Sequence, residues 1–357
     1  MNKSYHKILE QIKKNKNAID DLKPNDKILV IDGLNTFIRC FAVNPTTNDD
    51  GIHIGGIIGF LKSIAYSIKL CNPTRCIIVF DGKGGSYRRR KLYSGYKNKR
   101  KPTRRFNRSE TFLSYEDEKR SMVHQLQRLV DYLEYLPLDL ISIDQVEADD
   151  VMAYLSKQVF VDSDITLMST DKDFLQLVDD RISVWSPTKK VMYNPDKVLE
   201  DYGIPSHNFL LYRVLDGDKS DSVPGVKGAG IKTIQKRLPI ILEDNKIDIK
   251  DLIKYSEDHK EEAKVLQNII DSKDTLDLNF KLMQLEDVDI SGSAKTKIMD
   301  MAAKSINRLN KFKFQKLFME DKMWNGLPNL NSWLLTHFNN LAKFSEMTHK
   351  EGVNEKE

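Results

Sequence analysis

The sequence predicts an α/β fold with a mostly parallel central sheet flanked by helices. Short apolar runs typical of buried strands alternate with stretches of helical periodicity, which is the pattern of parallel sheets. Several of these runs end directly in acidic residues. Because ligands of open parallel sheets bind outside the carboxyl ends of the strands, we expect the acids to meet at one edge of the sheet.

Two strands and the helix between them form the first predicted unit. Lys27–Ile31 is followed directly by Asp32-Gly33, and Arg75–Phe80 is followed directly by Asp81-Gly82. Between them, Ile52–Leu70 carries apolar residues at helical spacing. This arrangement predicts a βαβ unit with a carboxylate at the carboxyl end of each strand.

The densest acidic stretch is Asp144–Asp150, with four carboxylates in seven residues. It follows the predicted strand Leu138–Ile143 and begins the helical stretch Val151–Val159. The helix dipole favours one or two acids at such a start, so capping is one interpretation. Like charges packed this closely repel, and a bound cation explains the whole cluster better. Glu147 and Asp150 are expected on one face of the helix.

Further acids follow later in the chain. Asp164–Ser169 is a predicted strand that runs into Asp171 and Asp173, and Arg181–Trp185 is the last predicted strand. Residues 216–221, in a helical region, add three more acids. Carboxylates without histidine or cysteine partners suit a hard cation such as Mg²⁺ or Mn²⁺ rather than zinc. There are enough acids for two ions, and such a pair favours phosphodiester hydrolysis.

The segment Gly82–Arg108 is strongly basic. It contains twelve lysines and arginines and no acid, although the whole chain has a formal net charge of only +4. Aromatic side chains lie among these cations, and this mixture is typical of proteins that bind single-stranded nucleic acid. A solvated, mobile loop is the alternative interpretation. A predicted helix from about Tyr115 to Leu136 follows the segment.

The segment Gly225–Thr233 is rich in glycine and leads into a predicted helix. A tight hairpin with exposed N–H groups at a helix start can bind phosphate, and Lys227 and Lys232 add positive charge. The segment lacks the spacing of a P-loop, and a simple turn is the alternative interpretation. Its position directly after Asp218 and Asp221 favours phosphate binding.

Composition argues against several classes of protein. No apolar run approaches the ~20 residues that a membrane-spanning helix needs, and the N-terminus lacks the apolar core of a signal peptide. The three cysteines, Cys40, Cys71 and Cys76, form no paired motif, so we expect reduced thiols in a cytosolic compartment. None of the seven histidines stands beside a candidate nucleophile, which argues against a Ser-His-Asp hydrolase.

Taken together, these motifs resemble those of the flap endonuclease/5′–3′ exonuclease family, and most closely its stand-alone bacteriophage ribonuclease H type. The resemblance extends from about Lys27 to Leu285 and depends on the order and spacing of the motifs. It implies a PIN-like 5′-nuclease fold with a helical arch and a helix–three-turn–helix C-terminal helical region. The matching stretches are Ile31–Asn35, Val79–Gly82, Tyr96–Arg100, Glu147–Asp150, Ser169–Phe174 and Gly217–Thr233.

The resemblance also implies roles for individual residues. It implies two Mg²⁺ ions, which Mn²⁺ can replace, and a K⁺ ion at the hairpin. The implied metal ligands are Asp32, Asp81, Glu147, Asp149, Asp150, Asp171, Asp173, Asp218 and Asp221. The cations that neutralise the scissile phosphate match Lys97, Arg100 and, within the upstream arginine run, Arg89. The implied DNA-binding positions are Tyr96, Gly225, Lys227, Gly228, Gly230, Lys232 and Thr233.

The predicted organisation has four parts. Residues 1–24 form a helical N-terminal extension, and residues 25–195 form the 5′-nuclease domain, with its arch at about 82–120. Residues 196–290 form the helix–three-turn–helix domain. Residues 291–357 form a C-terminal helical extension that ends in a frayed, charged tail.

The resemblance implies a two-metal 5′–3′ exonuclease and flap endonuclease with ribonuclease H activity, which removes RNA primers and short 5′ flaps during DNA replication. The implied partners are DNA and RNA–DNA duplexes with 5′ ends or flaps, a sliding clamp and a single-strand-binding protein. A monomer without membrane association is expected in the cytoplasm, which is the host cytoplasm if the protein is phage-encoded.

Two other functions are compatible with parts of the pattern. A PIN-type ribonuclease that acts on single-stranded RNA shares the sheet and some of the acids, but it lacks the hairpin Gly225–Thr233. A non-catalytic DNA-junction binder or replisome scaffold on a nuclease fold is the second alternative. Degenerate relatives of that kind usually lose acids, whereas here every expected acidic position is filled.

Overall fold

The computed structural model describes residues 21–98, 107 and 112–354, of which the last four are described as backbone only. A six-stranded sheet forms its centre. The strands are β1 (Lys27–Asp32), β2 (Arg75–Asp81), β3 (Asp139–Ile143), β4 (Asp164–Met168), β5 (Ile182–Ser186) and β6 (Val191–Tyr193). In space they follow the order β3-β2-β1-β4-β5-β6. The first five are parallel to their neighbours, and β6 pairs antiparallel with β5.

Helices cover both faces of this sheet. Those of the described residues are α1 (Gly33–Val43), α2 (Gly55–Cys71), α3 (Tyr87–Leu92), α4 (Tyr115–Leu133), α5 (Ala148–Tyr154), α6 (Pro195–Tyr202), α7 (Phe209–Asp216), α8 (Ile231–Arg237), α9 (Ile249–Asp258), α10 (Lys264–Asp271), α11 (Lys273–Met283), α12 (Gly292–Ala302), α13 (Lys311–Glu320) and α14 (Leu330–Asn354). None of these described helices combines the length and apolar character that crossing a bilayer requires.

The central strand β1 separates two hydrophobic cores. Its successive side chains point to opposite faces, so Ile28 and Val30 enter one core while Leu29 and Ile31 enter the other. All four side chains are buried. A strand buried on both faces has a continuous apolar sequence, which is why Lys27–Ile31 is recognisable as a strand. This packing holds the carboxyl end of β1 at a defined position.

The predicted arrangement of a mostly parallel sheet between helices is confirmed, and three elements differ from the prediction. The helix α1 was not predicted, although Asp32 caps it by accepting a hydrogen bond from the Asn35 N–H. The strand β6 follows β5, so Arg181–Trp185 does not contain the last strand; three residues are too few to show a periodic pattern. The helix predicted over Val151–Val159 begins at Ala148 and widens into a π-helical turn at Leu155–Val159.

The two chain ends compare differently with their predictions. The helical extension predicted for 1–24 lies outside the described residues except for its last four. The frayed tail predicted at the end of residues 291–357 is wrong as far as Asn354, because α14 continues to that residue. Phe338, Leu341 and Phe344 on α14 are buried, and this apolar face anchors the helix against the rest of the protein.

The C-terminal helices join the same cores as the sheet. Asp321 accepts hydrogen bonds from Arg128 Nε at 2.8 Å and from the Tyr132 hydroxyl at 2.7 Å, both on α4. The ring of Phe314 on α13 meets the ring of Tyr132 edge-on, with centroids 5.2 Å apart. The Asn48 side chain donates to the Asp321 carbonyl at 3.1 Å. The C-terminal helices are therefore packed against α4, the helix that follows the basic segment.

We expect Phe314→Ala to lower the free energy of unfolding by about 3–5 kcal/mol, because it opens a cavity in a core shared by α13 and α4. The matched control is Phe312→Ala, two residues away on the same helix, whose side chain is 76% exposed. That control should change stability by less than about 0.5 kcal/mol. Urea unfolding monitored by circular dichroism measures both, and equal losses for the two variants would contradict the packing.

Candidate active site

A cavity of about 350 Å³ lies at the carboxyl edge of the sheet. Its wall contains the carboxyl ends of β1 and β2 and the turn that follows β4. It also contains the first turn of α5 and the loop after α7. Three of the predicted cations or aromatic residues, Arg89, Tyr96 and Lys97, also line it. The seven aspartates on its wall are Asp32, Asp81, Asp149, Asp171, Asp173, Asp218 and Asp221.

Local hydrogen bonds hold the aspartates of the strand ends in place. Asp32 accepts from the Asn35 N–H at 3.1 Å and from the Ser169 hydroxyl at 3.1 Å, which joins β1 to the end of β4. Asp81 accepts from the Ala148 N–H at 2.7 Å and so joins β2 to the first turn of α5. These hydrogen bonds use one or two lone pairs of each carboxylate. The other lone pairs can still accept a hydrogen bond or bind a cation in the cavity.

Arg89 on α3 is the centre of a buried ion-pair cluster. Its guanidinium is 2% exposed and donates to both oxygens of Asp150 at 2.8 and 3.0 Å. It also donates to Glu147, and its Nε donates to the Leu282 carbonyl at 2.8 Å. Glu147 and Asp150 therefore share one helical side, as predicted, and both face Arg89 behind the cavity wall rather than the cavity itself.

Glu147 also binds the residues that follow α3. The Lys97 ammonium and the Tyr96 hydroxyl both donate to its carboxylate, the latter at 3.1 Å, and the Ser86 hydroxyl donates at 2.6 Å. Lys97 Nζ lies 4.9 Å from the centroid of the Tyr96 ring, a cation–π distance. The buried Glu147 thus holds Lys97 at the cavity wall, where its positive charge faces the aspartates.

Sequence reasoning missed Arg213 on α7, which organises the second acidic group. Its Nε donates to Asp173 at 2.5 Å and its Nη2 donates to Asp218 at 2.8 Å. The guanidinium is buried and also donates to the Gly217 carbonyl. A lone arginine in an amphipathic helix has no distinguishing pattern, so only its spacing of five residues before Asp218 hints at this role.

The charges within the site are unevenly compensated. Burial, with the charges of Asp81 and Asp171, raises the pKa of Asp32 to about 7 despite its hydrogen bonds. Burial and then the Asp171 charge raise the pKa of Asp173 to about 7, against the attraction of Arg213. Burial would also raise the pKa of Glu147, but Arg89 and Lys97 hold it below its ordinary value. Behind the wall, burial raises the pKa of Asp150 to about 6 despite the attraction of Arg89. The cavity therefore has excess negative charge, and the cations behind it offset the charge of Glu147 more fully than that of Asp150.

The donor set fits a hard divalent cation. No three acidic, histidine or cysteine side chains in the described ranges already converge as a metal site. Arg89, Lys97 and Arg213 form ion pairs with several carboxylates of the site. All seven acids on the cavity wall nevertheless present oxygen, the ligand that Mg²⁺ and Mn²⁺ prefer. The raised pKa values of Asp32 and Asp173 indicate that added positive charge would stabilise the site.

The predicted hairpin forms a second, separate site. Lys227, Gly228 and Thr233 line a cavity of about 360 Å³ together with residues of α8 and α10. The Lys227 carbonyl accepts from the Asn268 side chain at 2.7 Å, which ties the hairpin to α10. Gly228 has a positive φ of 86°, a conformation that favours glycine. Lys232 and Gly230 lie at the start of α8, and Gly225 packs against the end of α7.

Comparison with known proteins places the chain in a family. Residues 27–203 match the model of the 5′–3′ exonuclease N-terminal, resolvase-like domain. This part of the chain belongs to the 5′–3′ exonuclease family. Five of the seven cavity aspartates lie within this region, and the other two, Asp218 and Asp221, lie in the loop after α7, beyond its end. The family predicted from the sequence is confirmed for residues 27–203, and its stand-alone bacteriophage ribonuclease H type stays a prediction.

Curated relatives of two kinds share this region. The DNA polymerase I of Thermus aquaticus is 34% identical over 218 residues, which cover 60% of this chain and 24% of the polymerase. The chain thus spans about a quarter of the length of the polymerases that it matches. The 5′–3′ exonuclease of Aquifex aeolicus is 27% identical over 296 residues, which cover 82% of this chain and 92% of that protein.

Solved structures with the same fold include the flap endonuclease of bacteriophage T5. Its complex with DNA and metal ions has a TM-score of 0.59 and 21% sequence identity, and the match covers 83% of this chain and 99% of that one. A T5 structure crystallised with metal ions has a TM-score of 0.57 at 19% identity. The PIN-like 5′-nuclease fold predicted from the sequence is confirmed.

The predicted site residues thus fall into three groups. The exonuclease-family cavity contains the seven aspartates with Lys97, Tyr96 and Arg89, and Glu147 and Asp150 form the buried cluster behind it. The six predicted hairpin positions lie at the separate second region, where Lys227, Gly228 and Thr233 line the cavity and Gly225, Gly230 and Lys232 lie beside it. Arg100, and most of the basic segment that follows Asn98, lies outside the described residues.

We expect Asp32→Asn to stabilise the metal-free protein at neutral pH. A folded-state pKa of about 7 against an ordinary value of 3.8 means that Asp32 contributes stability below about pH 4, and that this contribution is lost as the pH rises toward 7. The full shift corresponds to about 4 kcal/mol, and water at the cavity mouth should reduce the measurable gain to about 1–3 kcal/mol.

The measurement is the melting temperature of wild type and variant in EDTA, between pH 4 and pH 7. The variant should match wild type at pH 4 and exceed it at pH 7, and a saturating divalent ion should narrow the difference. If the variant is less stable than wild type at pH 7, ionised Asp32 does not destabilise the folded protein and the prediction is wrong. Asp180→Asn, an exposed aspartate on a distant loop, is the control.

Proposed function

We propose that this protein is a divalent-metal-dependent 5′ nuclease that hydrolyses phosphodiester bonds at the 5′ ends and flaps of DNA and RNA–DNA duplexes. The observation that carries this proposal is the cavity at the carboxyl edge of the sheet. Separate segments of the chain deliver seven aspartates to one wall, and the cation Lys97 lies on the same wall. Membership of the 5′–3′ exonuclease family supports the reaction class.

Two Mg²⁺ ions are proposed to bind in the cavity, with Mn²⁺ as a substitute. Asp32, Asp81 and Asp149 would hold one ion, and the second acidic group, Asp171, Asp173, Asp218 and Asp221, would hold the other. Bound divalent ions supply a hydroxide nucleophile and stabilise charge on the phosphate oxygens. The T5 relative, whose structure contains DNA and metal ions, supports this assignment. The geometry favours Glu147 and Asp150 as partners of Arg89, and their predicted role as metal ligands remains a prediction.

The side chains of the cavity wall have separate tasks in this proposal. Lys97 binds the scissile phosphate and offsets the charge that develops on its oxygens. Glu147, buried and held by Arg89, keeps the Lys97 ammonium in place. Arg213 orients Asp173 and Asp218 toward the cavity through its two hydrogen bonds. Arg100 is proposed to bind the same phosphate with Lys97.

The second site is proposed to bind the duplex. The hairpin Gly225–Thr233 presents backbone N–H groups and lysines, which suit a phosphate backbone rather than base edges. The carbonyl groups of such a hairpin could hold the implied K⁺ ion. Duplex bound at the hairpin, with a single strand at the basic segment, would deliver a 5′ end or flap to the cavity.

Replication roles complete the proposal. We propose that the protein removes RNA primers and short 5′ flaps and has ribonuclease H activity. The presence of both the cavity and a duplex-binding hairpin supports this role. A sliding clamp and a single-strand-binding protein are the proposed partners, and a cytoplasmic monomer is the proposed state. The four-part division of the chain at residues 24, 195 and 290 is proposed with them.

The direct test is cleavage of a 5′-flapped DNA duplex and of an RNA-primed duplex, each labelled at its 5′ end, in Mg²⁺ and in EDTA. Metal-dependent release of short 5′ fragments is expected, and the ratio between substrates measures flap cutting against primer removal. Single-stranded RNA is the control substrate for a PIN-type ribonuclease. Tight duplex binding without cleavage in Mg²⁺ or Mn²⁺ would instead indicate a non-catalytic junction binder.

We expect Asp171→Asn to abolish hydrolysis, a loss of more than roughly 10³-fold in single-turnover rate, because it removes a negative oxygen from the cavity wall. Duplex affinity should remain close to that of wild type, since most contacts with the backbone lie elsewhere. Asp180→Asn, which removes the same charge from an exposed loop, should cleave normally. Undiminished cleavage by Asp171→Asn would refute the site.

Lys97→Ala should slow the chemical step by about 10²–10³-fold, because the cation at the scissile phosphate is lost. Affinity should fall less than about tenfold, since one phosphate contact among many is removed. Lys91→Ala is the control, because it removes an exposed lysine from α3 in the same basic segment. A uniform loss of affinity with a normal single-turnover rate would place Lys97 outside the reaction.

A further inference from the structure

A third, small hydrophobic cluster forms part of the cavity wall. It contains Tyr96 from the segment after α3, Val223 from the loop after α7, and Leu282 and Met283 at the end of α11. All four side chains are buried. The cluster is separate from the two large cores that cover the faces of the sheet. It therefore joins three segments that are far apart in the chain.

Main-chain bonds reinforce this junction on the side of Lys97. The Lys97 N–H donates to the Asp221 carbonyl at 2.8 Å. Lys97 has a φ of 57° and Ser222 a φ of 62°, a left-handed conformation that costs free energy for residues other than glycine. Two residues with this conformation lie beside the hydrogen bond between Lys97 and Asp221. Their conformation indicates that the surrounding structure holds the backbone there. The position of Lys97 thus depends on the loop 218–223.

The same loop is tied to the hairpin and to the second acidic group. Asp218 and Val223 exchange two backbone hydrogen bonds, at 2.8 and 2.9 Å. The Val226 N–H donates to the Leu215 carbonyl at 2.8 Å. A Cβ on Gly225 would lie 2.1 Å from the Asp216 carbonyl oxygen, so the hairpin start and the end of α7 are in close contact. The two ends of the loop are therefore bonded to each other, and the start of the hairpin is bonded to the end of α7.

We propose that Val223 and Tyr96 form a clasp by which the hairpin positions Lys97 in the cavity. Duplex held at Gly225–Thr233 would fix the loop 218–223, and the Val223–Tyr96 contact and the Asp221 carbonyl would then fix Lys97 against the scissile phosphate. Val223 is a positioning residue that acts through Lys97. This inference rests on the proposed nuclease function and adds a coupling between its two binding regions.

Contacts with α11 and the residues beyond it also hold the segment that carries Lys97. Arg89 Nε donates to the Leu282 carbonyl at 2.8 Å, so α3 and the end of α11 are joined beside the cluster. Arg88 lies 3.7 Å from the Asp289 carboxylate just beyond α11. The segment that carries Lys97 is thus held to the end of α11 before Tyr96 and to the loop 218–223 after it.

The test is a double-mutant cycle between Val223→Ala and Lys97→Ala in single-turnover cleavage of a 5′-flapped duplex. Val223→Ala should slow cleavage by about tenfold or more, because small displacements of a catalytic group reduce rates steeply, while duplex affinity changes by less than about twofold. In the Lys97→Ala background the same substitution should cost almost nothing further. Fully additive losses would overturn the proposal.

The matched control for packing is Val198→Ala. Val198 on α6 is as deeply buried, loses the same two methyl groups and lies in a core away from Lys97. It should lower the melting temperature as much as Val223→Ala does and leave the single-turnover rate unchanged. An equal slowing by both variants would show that lost stability, and not the clasp, causes the effect.

An activity-independent readout separates the clasp from the nuclease proposal. Hydrogen exchange of the Lys97 amide should be slow in wild type, faster in Val223→Ala and unchanged in Val198→Ala. If wild type cleaves nothing, the nuclease proposal fails and the exchange result still tests the clasp. Unchanged exchange in Val223→Ala overturns the clasp even when wild type is active.

Discussion

Repulsion among carboxylates is the constraint on which the rest of this structure depends. Seven aspartates line one cavity of about 350 Å³, and burial together with neighbouring carboxylates raises the pKa of Asp32 and of Asp173 to about 7. A flexible loop would relieve such repulsion by moving apart. The parallel sheet prevents this, because β1 is buried on both faces and its neighbours share its two cores. The hydrophobic cores thus supply the free energy that keeps the acids together.

The cations of the chain resolve this repulsion selectively. Arg89 and Lys97 neutralise Glu147 and Asp150 behind the wall, whereas Arg213 reaches only two acids of the second group. Both carboxylates behind the cavity are therefore hydrogen-bonded to cations, and the wall retains capacity for added positive charge. A divalent cation is complementary to the negative charge of such a wall. A phosphate is complementary to the wall once the cation is bound, because the cation attracts the anion.

The three cations also connect regions of the chain. Arg89 bonds to the end of α11, and Arg213 bonds from α7 to the turn after β4. Lys97 is bonded through its backbone to the loop before the hairpin. On the opposite side, Asp321 ties the C-terminal helices to α4. Electrostatic contacts therefore organise the cavity and hold the helical regions around the sheet at the same time.

The sequence by itself determined the parallel strands of the sheet, the family and a set of nine acids that contains the seven of the cavity. Strands such as Lys27–Ile31 are buried on both faces, so each can be recognised from the continuous apolar run in its own sequence. Parallel strands bring the acids at their carboxyl ends to one edge of the sheet. Only the tertiary structure decided which acids face the cavity and which face Arg89. It also revealed the contacts of Arg213, Val223 and the C-terminal helices. These depend on pairings between segments far apart in the chain, and such pairings leave no periodic signal in any one segment.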